Sequence, residues 1–209
     1  MRHRRHDPIT KLFGRFCTPY IAAVGVLVTA GLVSGCSRDE ITAPEAPVVG
    51  QFTVDASKSW AYVDLTSGDT VPQADAATST SWDVGFNATS VQLNGGTHGP
   101  AGVTGFCVCQ NAAATNDQIL AMTPDNQEAA FTNVTSASIP VVDDKWTSDV
   151  FATNPWYRYD LAGDHRISPT FDVYFVKRGS TVYKLQVINY YGAAGETRRI
   201  TVRYSKVRG

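Results

Sequence analysis

Residues 82–105, WDVGFNATSVQLNGGTHGPAGVTG, decide the fold class. They open as a strand. Trp82, Val84, Phe86 and Ala88 fall on one face, and Asp83, Gly85, Asn87 and Thr89 on the other, the period-2 pattern of a half-buried strand. The phase slips at Ser90. Val91 and Leu93 carry the apolar face from there, so one extra residue enters, as in a bulge or bend. The stretch then dissolves into Asn94, Gly95, Gly96, Thr97, His98, Gly99 and Pro100. Asn and Gly tolerate positive φ, and glycine lets backbone approach backbone or a ligand closely. The loop reads either as a turn whose glycines solve a geometry problem or as the place where an all-β protein sets a site.

The C-terminal third repeats the pattern. FDVYFVKR (171–178), TVYKLQVINYY (181–191) and TRRITVRY (197–204) alternate as three strands. Gly179-Ser180 makes the first turn and residues 192–196 the second, giving an antiparallel meander with one face inside. Upstream, Phe52 and Val54 open a first strand and SWAYVDL (59–65) a second. GFCVCQ (105–110) is a short strand that points Cys107 and Cys109 to one face. Residues 111–135 are the least β-like. DQILAM and PDNQEAAF each suit a short helix, with Pro124 in the first turn of the second. SASIPVV (136–142) reads as a further strand, and Trp146 and Phe151 fall in a loop-rich stretch. The expected architecture is a single antiparallel, all-β domain with at most two short helices.

The first 35 residues do not belong to that domain. Arg2, Arg4, Arg5, Lys11 and Arg15 precede an apolar run from Tyr20 to Val33, too short for a comfortable membrane span. Val33-Ser34-Gly35-Cys36 then reads as a lipobox, which predicts cleavage after residue 35 and acylation of Cys36. Residues 36–50, rich in Pro and Ala, form a tether, and residues 51–209 form the β domain. Without residues 1–35 the chain keeps 13 Lys+Arg and 18 Asp+Glu. That acidic balance excludes nucleic acid and a polybasic membrane surface as partners, so the lipid on Cys36 is the expected link to the membrane. Export to a bacterial outer membrane or cell envelope follows as the expected localisation.

WDVGF followed by VQLNGGT resembles the core signature of the HmuY family of bacterial lipoproteins. His98 stands where that family usually carries Ser. WYRYDLAGDHRISPTFDVYFVKRG (156–179), YKLQVINYYG (183–192) and TVRY (201–204) agree in order and spacing. The resemblance spans about residues 51–205. It implies an all-β fold, and a haem-binding protein in which two side chains ligate the iron axially.

No catalytic constellation stands out: no G-x-S-x-G, no H-E-x-x-H and no phosphate loop before a helix. A binding protein is expected rather than an enzyme. Histidine, methionine and thiolate are the side chains weighed here as ligands to haem iron. Past residue 36 they number five: His98, His165, Met122, Cys107 and Cys109. His98 rides the Gly-rich loop. His165 falls on the resembled family's His-x-Ile-x-Pro element, where an architectural role, bonding backbone, competes with ligation. Met122 is more often a gap filler than a ligand, and the two cysteines read as small buried residues or a thiol pair rather than as ligands, although C-x-C is not the redox C-x-x-C spacing. The expected function is an envelope-anchored lipoprotein that takes up a small ligand such as haem. The alternative is an accessory lipoprotein that binds an outer-membrane transporter or another envelope protein.

Overall fold

A computed structural model of the protein describes residues 48–72 and 76–209. The leader 1–35, Cys36 and the tether as far as Pro47 lie outside the described residues. Eleven strands, three short α-helices and two 3-10 turns make up the described part. Strands β1 (Val49–Asp55), β6 (Thr104–Cys107), β9 (Tyr174–Arg178), β10 (Thr181–Tyr191) and β11 (Thr197–Arg208) form a five-stranded antiparallel sheet in the order β1-β11-β10-β9-β6. Strands β2 (Ala61–Asp64), β3 (Asp69–Val71), β4 (Val84–Asn87) and β5 (Ser90–Leu93) form a second sheet in the order β3-β2-β4-β5. A two-stranded ribbon pairs β7 (Tyr157–Tyr159) with β8 (Ile167–Pro169). The first strand begins at Val49, two residues inside the expected tether.

The main core brings together the two larger sheets. Phe52, Val54, Tyr174, Val176, Leu185, Val187, Ile200 and Val202 line one face of the five-stranded sheet, and Val63, Val84, Phe86 and Leu93 meet them. Gly105 of β6 lies against Leu93 of β5. A Cβ there would meet Val150 Cγ1 at 2.6 Å and Leu93 Cδ1 at 2.9 Å, so only glycine fits.

The slip at Ser90 is a hairpin turn, not a bulge. β4 and β5 pair from Val84↔Leu93 to Asn87↔Ser90, and Ala88 turns the chain at φ 52°. A positive φ is uncommon for a residue with a Cβ, so Ala88 gives no turn signal of the Asn-Gly kind. Asp83 is also buried rather than solvated. Its Oδ2 accepts from the Leu65 N–H at 2.9 Å and its Oδ1 from Arg178 Nη1 at 3.1 Å. Desolvation holds its carboxyl above the usual carboxylate range despite that guanidinium.

Both faces of the five-stranded sheet are covered, which corrects the expectation of a meander with one face inside. Val173, Phe175 and Val182 meet Phe131 and Val134 in a second, smaller core. The cover comes from the excursion 108–153, which carries α1 (Asn116–Leu120) and, bringing Phe131 to the sheet, α2 (Glu128–Thr132), whereas α3 (Val150–Thr153) at its end turns Val150 and Phe151 into the main core. A third helix thus stands where a loop-rich stretch is expected. Pro124 lies ahead of α2 rather than in its first turn. SASIPVV does not form a strand: residues 136–138 make a 3-10 turn, Ile139 packs on the second core and Val141 is 99% exposed.

Lys184, Gln186, Arg203 and Ser205 are buried on that second face. Lys184 Nζ donates to the carbonyls of Phe131 at 2.8 Å and Val134 at 2.7 Å, and lies 4.4 Å from the Phe131 ring centre. These are carbonyls at and just past the end of α2, which an α-helix leaves unpaired. Burial pulls the Lys184 ammonium below its usual pKa. Arg203 Nη2 donates to Pro124 O at 2.6 Å. The excursion is therefore held to the sheet by two cations as well as by apolar contact.

Candidate functional site

The Gly-rich loop is architecture. Asn94, fully buried, donates through Nδ2 to the carbonyls of Ser79 at 2.9 Å and Trp82 at 2.8 Å, and accepts from the Ala101 N–H at 3.2 Å. A Cβ on Gly95 would collide with the Val103 carbonyl. These are the contacts of a folded turn. His98 is drawn to α3: its Nε2 lies 3.4 Å from Asp149 Oδ1.

His165 lies elsewhere, between β7 and β8. Its φ is 57°, and its backbone N–H donates to Asp160 Oδ1 at 2.7 Å. The imidazole is 80% exposed, with Nδ1 2.9 Å from the Tyr159 hydroxyl. The imidazole therefore meets the Tyr159 side chain rather than backbone, while the backbone N–H of His165 holds the ribbon turn through Asp160.

Met122 is the one of the three haem candidates set in a described cavity. The cavity, about 390 Å³, lies between the segment 119–124 and β8, with β10 behind. Ile119, Pro169, Phe171 and Ile188 supply apolar wall, and Met122 brings a thioether. Arg166 lies over the Tyr191 ring at 4.8 Å and 3.8 Å from Asp164 Oδ2. The Tyr191 hydroxyl accepts from the Ile167 N–H at 2.9 Å, which fixes the ring that Arg166 covers. Arg203 holds one lip through Pro124 O, and Gln186 holds Phe171, itself at φ 54°, through the Phe171 carbonyl. Arg166 escapes a sequence search for iron ligands, because a guanidinium ligates no metal. Its position after His165 in the His-x-Ile-x-Pro element is the only signal it leaves.

Cys107 and Cys109 form a disulfide, with Cα atoms 5.0 Å apart. The expected strand 105–110 would hold them further apart. β6 instead ends at Cys107, and Cys109 takes φ 52°, which folds the chain back. Both sulfurs are thereby removed as iron ligands. Cys109 lines a second cavity, of about 290 Å³, together with Asn154, Tyr157, Arg158 and Asp172. Burial pushes the Asp172 carboxyl up, although it accepts from the Asn111 N–H at 2.8 Å. Among the described residues no group of three or more His, Cys, Asp or Glu could hold a metal ion. Among them, too, no helix is long and apolar enough to cross a membrane.

Two antiparallel sheets packed on a shared core, with a cavity of mixed polar and apolar lining beside the ribbon, define a β-class scaffold. The HmuY family model, described as HmuY protein, matches residues 56–204, and the chain belongs to that family. Among solved structures the chain is similar to the apo HmuY analog of Tannerella forsythia, at 13% identity over 77% of this chain and 96% of that one, with a TM-score of 0.49. It is similar also to apo PinO from Porphyromonas gingivitis, at 10% identity over 77% and 97%, TM-score 0.49. A Bacteroides vulgatus protein described as HmuY-like and haem-binding matches at 16% identity over 75% and 90%, TM-score 0.45. No curated protein matches the chain.

Proposed function

We propose that this chain is an exported lipoprotein, anchored through acylated Cys36, that carries a flat apolar ligand with acidic substituents, haem being the member of that class its family suggests. The observation that carries the reading is the convergence in one cavity of the Met122 thioether, the Arg166 guanidinium and the rings of Phe171 and Tyr191. Apolar walls take a macrocycle, a thioether ligates iron, and a guanidinium pairs with carboxylates. The residues present therefore fit the group. Met122 would supply one iron ligand from the cavity wall, and His165, which adjoins Arg166, would supply a second on leaving the Tyr159 hydroxyl; His98, tied to Asp149, is set aside.

The test is a visible-absorbance titration of the full chain in detergent with ferric and ferrous haem. A saturable, sharpened Soret band is expected, weakened in Met122→Ala and unaffected in His98→Ala. A spectrum that only sums free haem and protein retires the haem reading. Docking on an envelope protein such as an outer-membrane transporter would then stand first. That second reading draws on Val141 and Val142, which are 99% and 48% exposed side by side. Pull-down from envelope extracts with and without Val141→Asp decides it.

A further inference from the structure

We propose that the Cys107–Cys109 disulfide is a thiol–disulfide exchange site whose substrate is an exported dithiol protein. The bond closes a loop of three residues, so as a cross-link it constrains the unfolded chain little. The fold has two hydrophobic cores on the two faces of one sheet, and Cys107 is one buried side chain among many in the larger.

The surroundings of the bond are those of a reacting group. Cys107 is buried in the main core, whereas Cys109 is half-buried and lines the 290 Å³ cavity, so an attacking thiolate reaches Cys109 first. Cys109 is held at φ 52°, a conformation sparsely populated by residues with a Cβ, and opening the ring frees it. Asn154 Oδ1 lies 3.4 Å from Cys109 Sγ. Its orientation is fixed, because Asn154 Nδ2 donates to Val150 O at 3.1 Å and to Thr153 Oγ1 at 2.9 Å. An amide oxygen facing sulfur is an acceptor waiting for an S–H, and a disulfide has none to give. The same cavity holds Asp172, 6% exposed, whose carboxyl keeps its proton to higher pH than usual because it is buried. Arg158 and Tyr174 are the other titratable groups that act on it.

The reaction balances as a two-electron exchange. A partner thiolate attacks Cys109 Sγ, a mixed disulfide forms, and the electron pair of the broken bond leaves on Cys107 Sγ. The partner's second thiolate then attacks its own sulfur in the mixed disulfide and releases Cys109. The dithiol loses two electrons and two protons, and Cys107 and Cys109 gain both. Asp172, which lines the same cavity as Cys109, lends its proton to the Cys109 sulfur released in the second step and recovers one from the partner's thiols.

The full chain in detergent is equilibrated with mixtures of reduced and oxidised dithiothreitol, and alkylation at Cys107 and Cys109 is read by peptide mass spectrometry. Both thiols should appear together at one midpoint while the near-UV circular dichroism of the fold stays unchanged. Alkylation that requires denaturant, or a fold lost on reduction, overturns the proposal. In Cys107→Ala, the remaining Cys109 should couple to oxidised glutathione at least about tenfold faster than Cys107 does in Cys109→Ala. Equal or reversed rates overturn it. Asp172→Asn should slow reduction by about tenfold at an unchanged midpoint, and an unchanged rate removes the proton role.

Discussion

Lys184 and Leu185 are neighbours in one strand and face opposite ways. Leu185 enters the main core beside Tyr174 and Val202, where contact is apolar and adaptable. Lys184 enters the smaller core, 3% exposed, and its ammonium binds the carbonyls at the end of α2. The first face is held by area removed from water, which is non-directional. The second is held by donors that must find particular oxygens. The difference teaches which face sets position. A hydrophobic surface fixes the two sheets against each other, but the cations fix the excursion, and the excursion carries Met122 and one wall of the cavity.

The largest effect should come from the first face. Leu185→Ala is expected to cost about 3 kcal/mol, a loss of transfer energy plus a cavity, seen as a lower urea midpoint for the whole cooperative transition. Lys184→Met keeps the stem and deletes the charge. It takes the ammonium from the Val134 carbonyl, leaves the Phe131 carbonyl only its backbone donor, and should cost about 2 kcal/mol. Its mark is local: amide exchange should accelerate over residues 128–134 before it does in the sheet. Uniform acceleration in both variants would erase the distinction between the faces. Arg203→Met should cost about 1 kcal/mol in the same assay. The cost is smaller because, among the described residues, Arg203 Nε already has no hydrogen-bond partner, nor does Gln186 Oε1 on the residue paired across from it. Haem affinity, where bound, should fall more in Arg203→Met than stability does, since Pro124 forms the cavity lip.

The same contrast explains what the sequence discloses. The C-terminal meander is legible because Tyr183, Leu185 and Val187 alternate with residues that look solvent-facing. That appearance misleads, because Lys184, Gln186 and Arg203 are polar yet buried, and period-2 patterning cannot tell a solvated cation from one bonded to carbonyls of a segment 50 residues away. The expected strand at 136–142 fails for a related reason. Ile139, Val141 and Val142 have strand-forming side chains, but only Ile139 finds a core, and tertiary contact outweighs propensity. Of the site, Met122, His98 and His165 were nameable as chemistry, because few side chains ligate iron. Which of them shares a cavity was not, because residues 119–124 and 164–169 meet only through the fold. The disulfide was hidden by a reading of 105–110 as extended, which the φ of Cys109 undoes.

The smallest expected effect concerns the buried carboxyl at the rim of the excursion. Burial raises the Asp172 pKa above its ordinary value of 3.8, against the Asn111 N–H, the Thr170 hydroxyl and Arg158. In the unfolded chain Asp172 ionises around that ordinary value, while in the folded protein it keeps its proton to higher pH. Between the two values the folded state binds more protons, so stability falls as pH rises. The contribution of Asp172 is thus fully present below pH 3.8 and is lost as pH climbs through the folded-state value. This is the reverse of an ion-paired surface carboxylate. Urea unfolding of the wild type and Asp172→Asn across acid to neutral pH isolates it, since asparagine does not titrate. The stability of the wild type relative to the variant should decline from acid toward neutral pH. A rise over that range would mean that Arg158 and the Asn111 amide, rather than burial, govern the carboxyl.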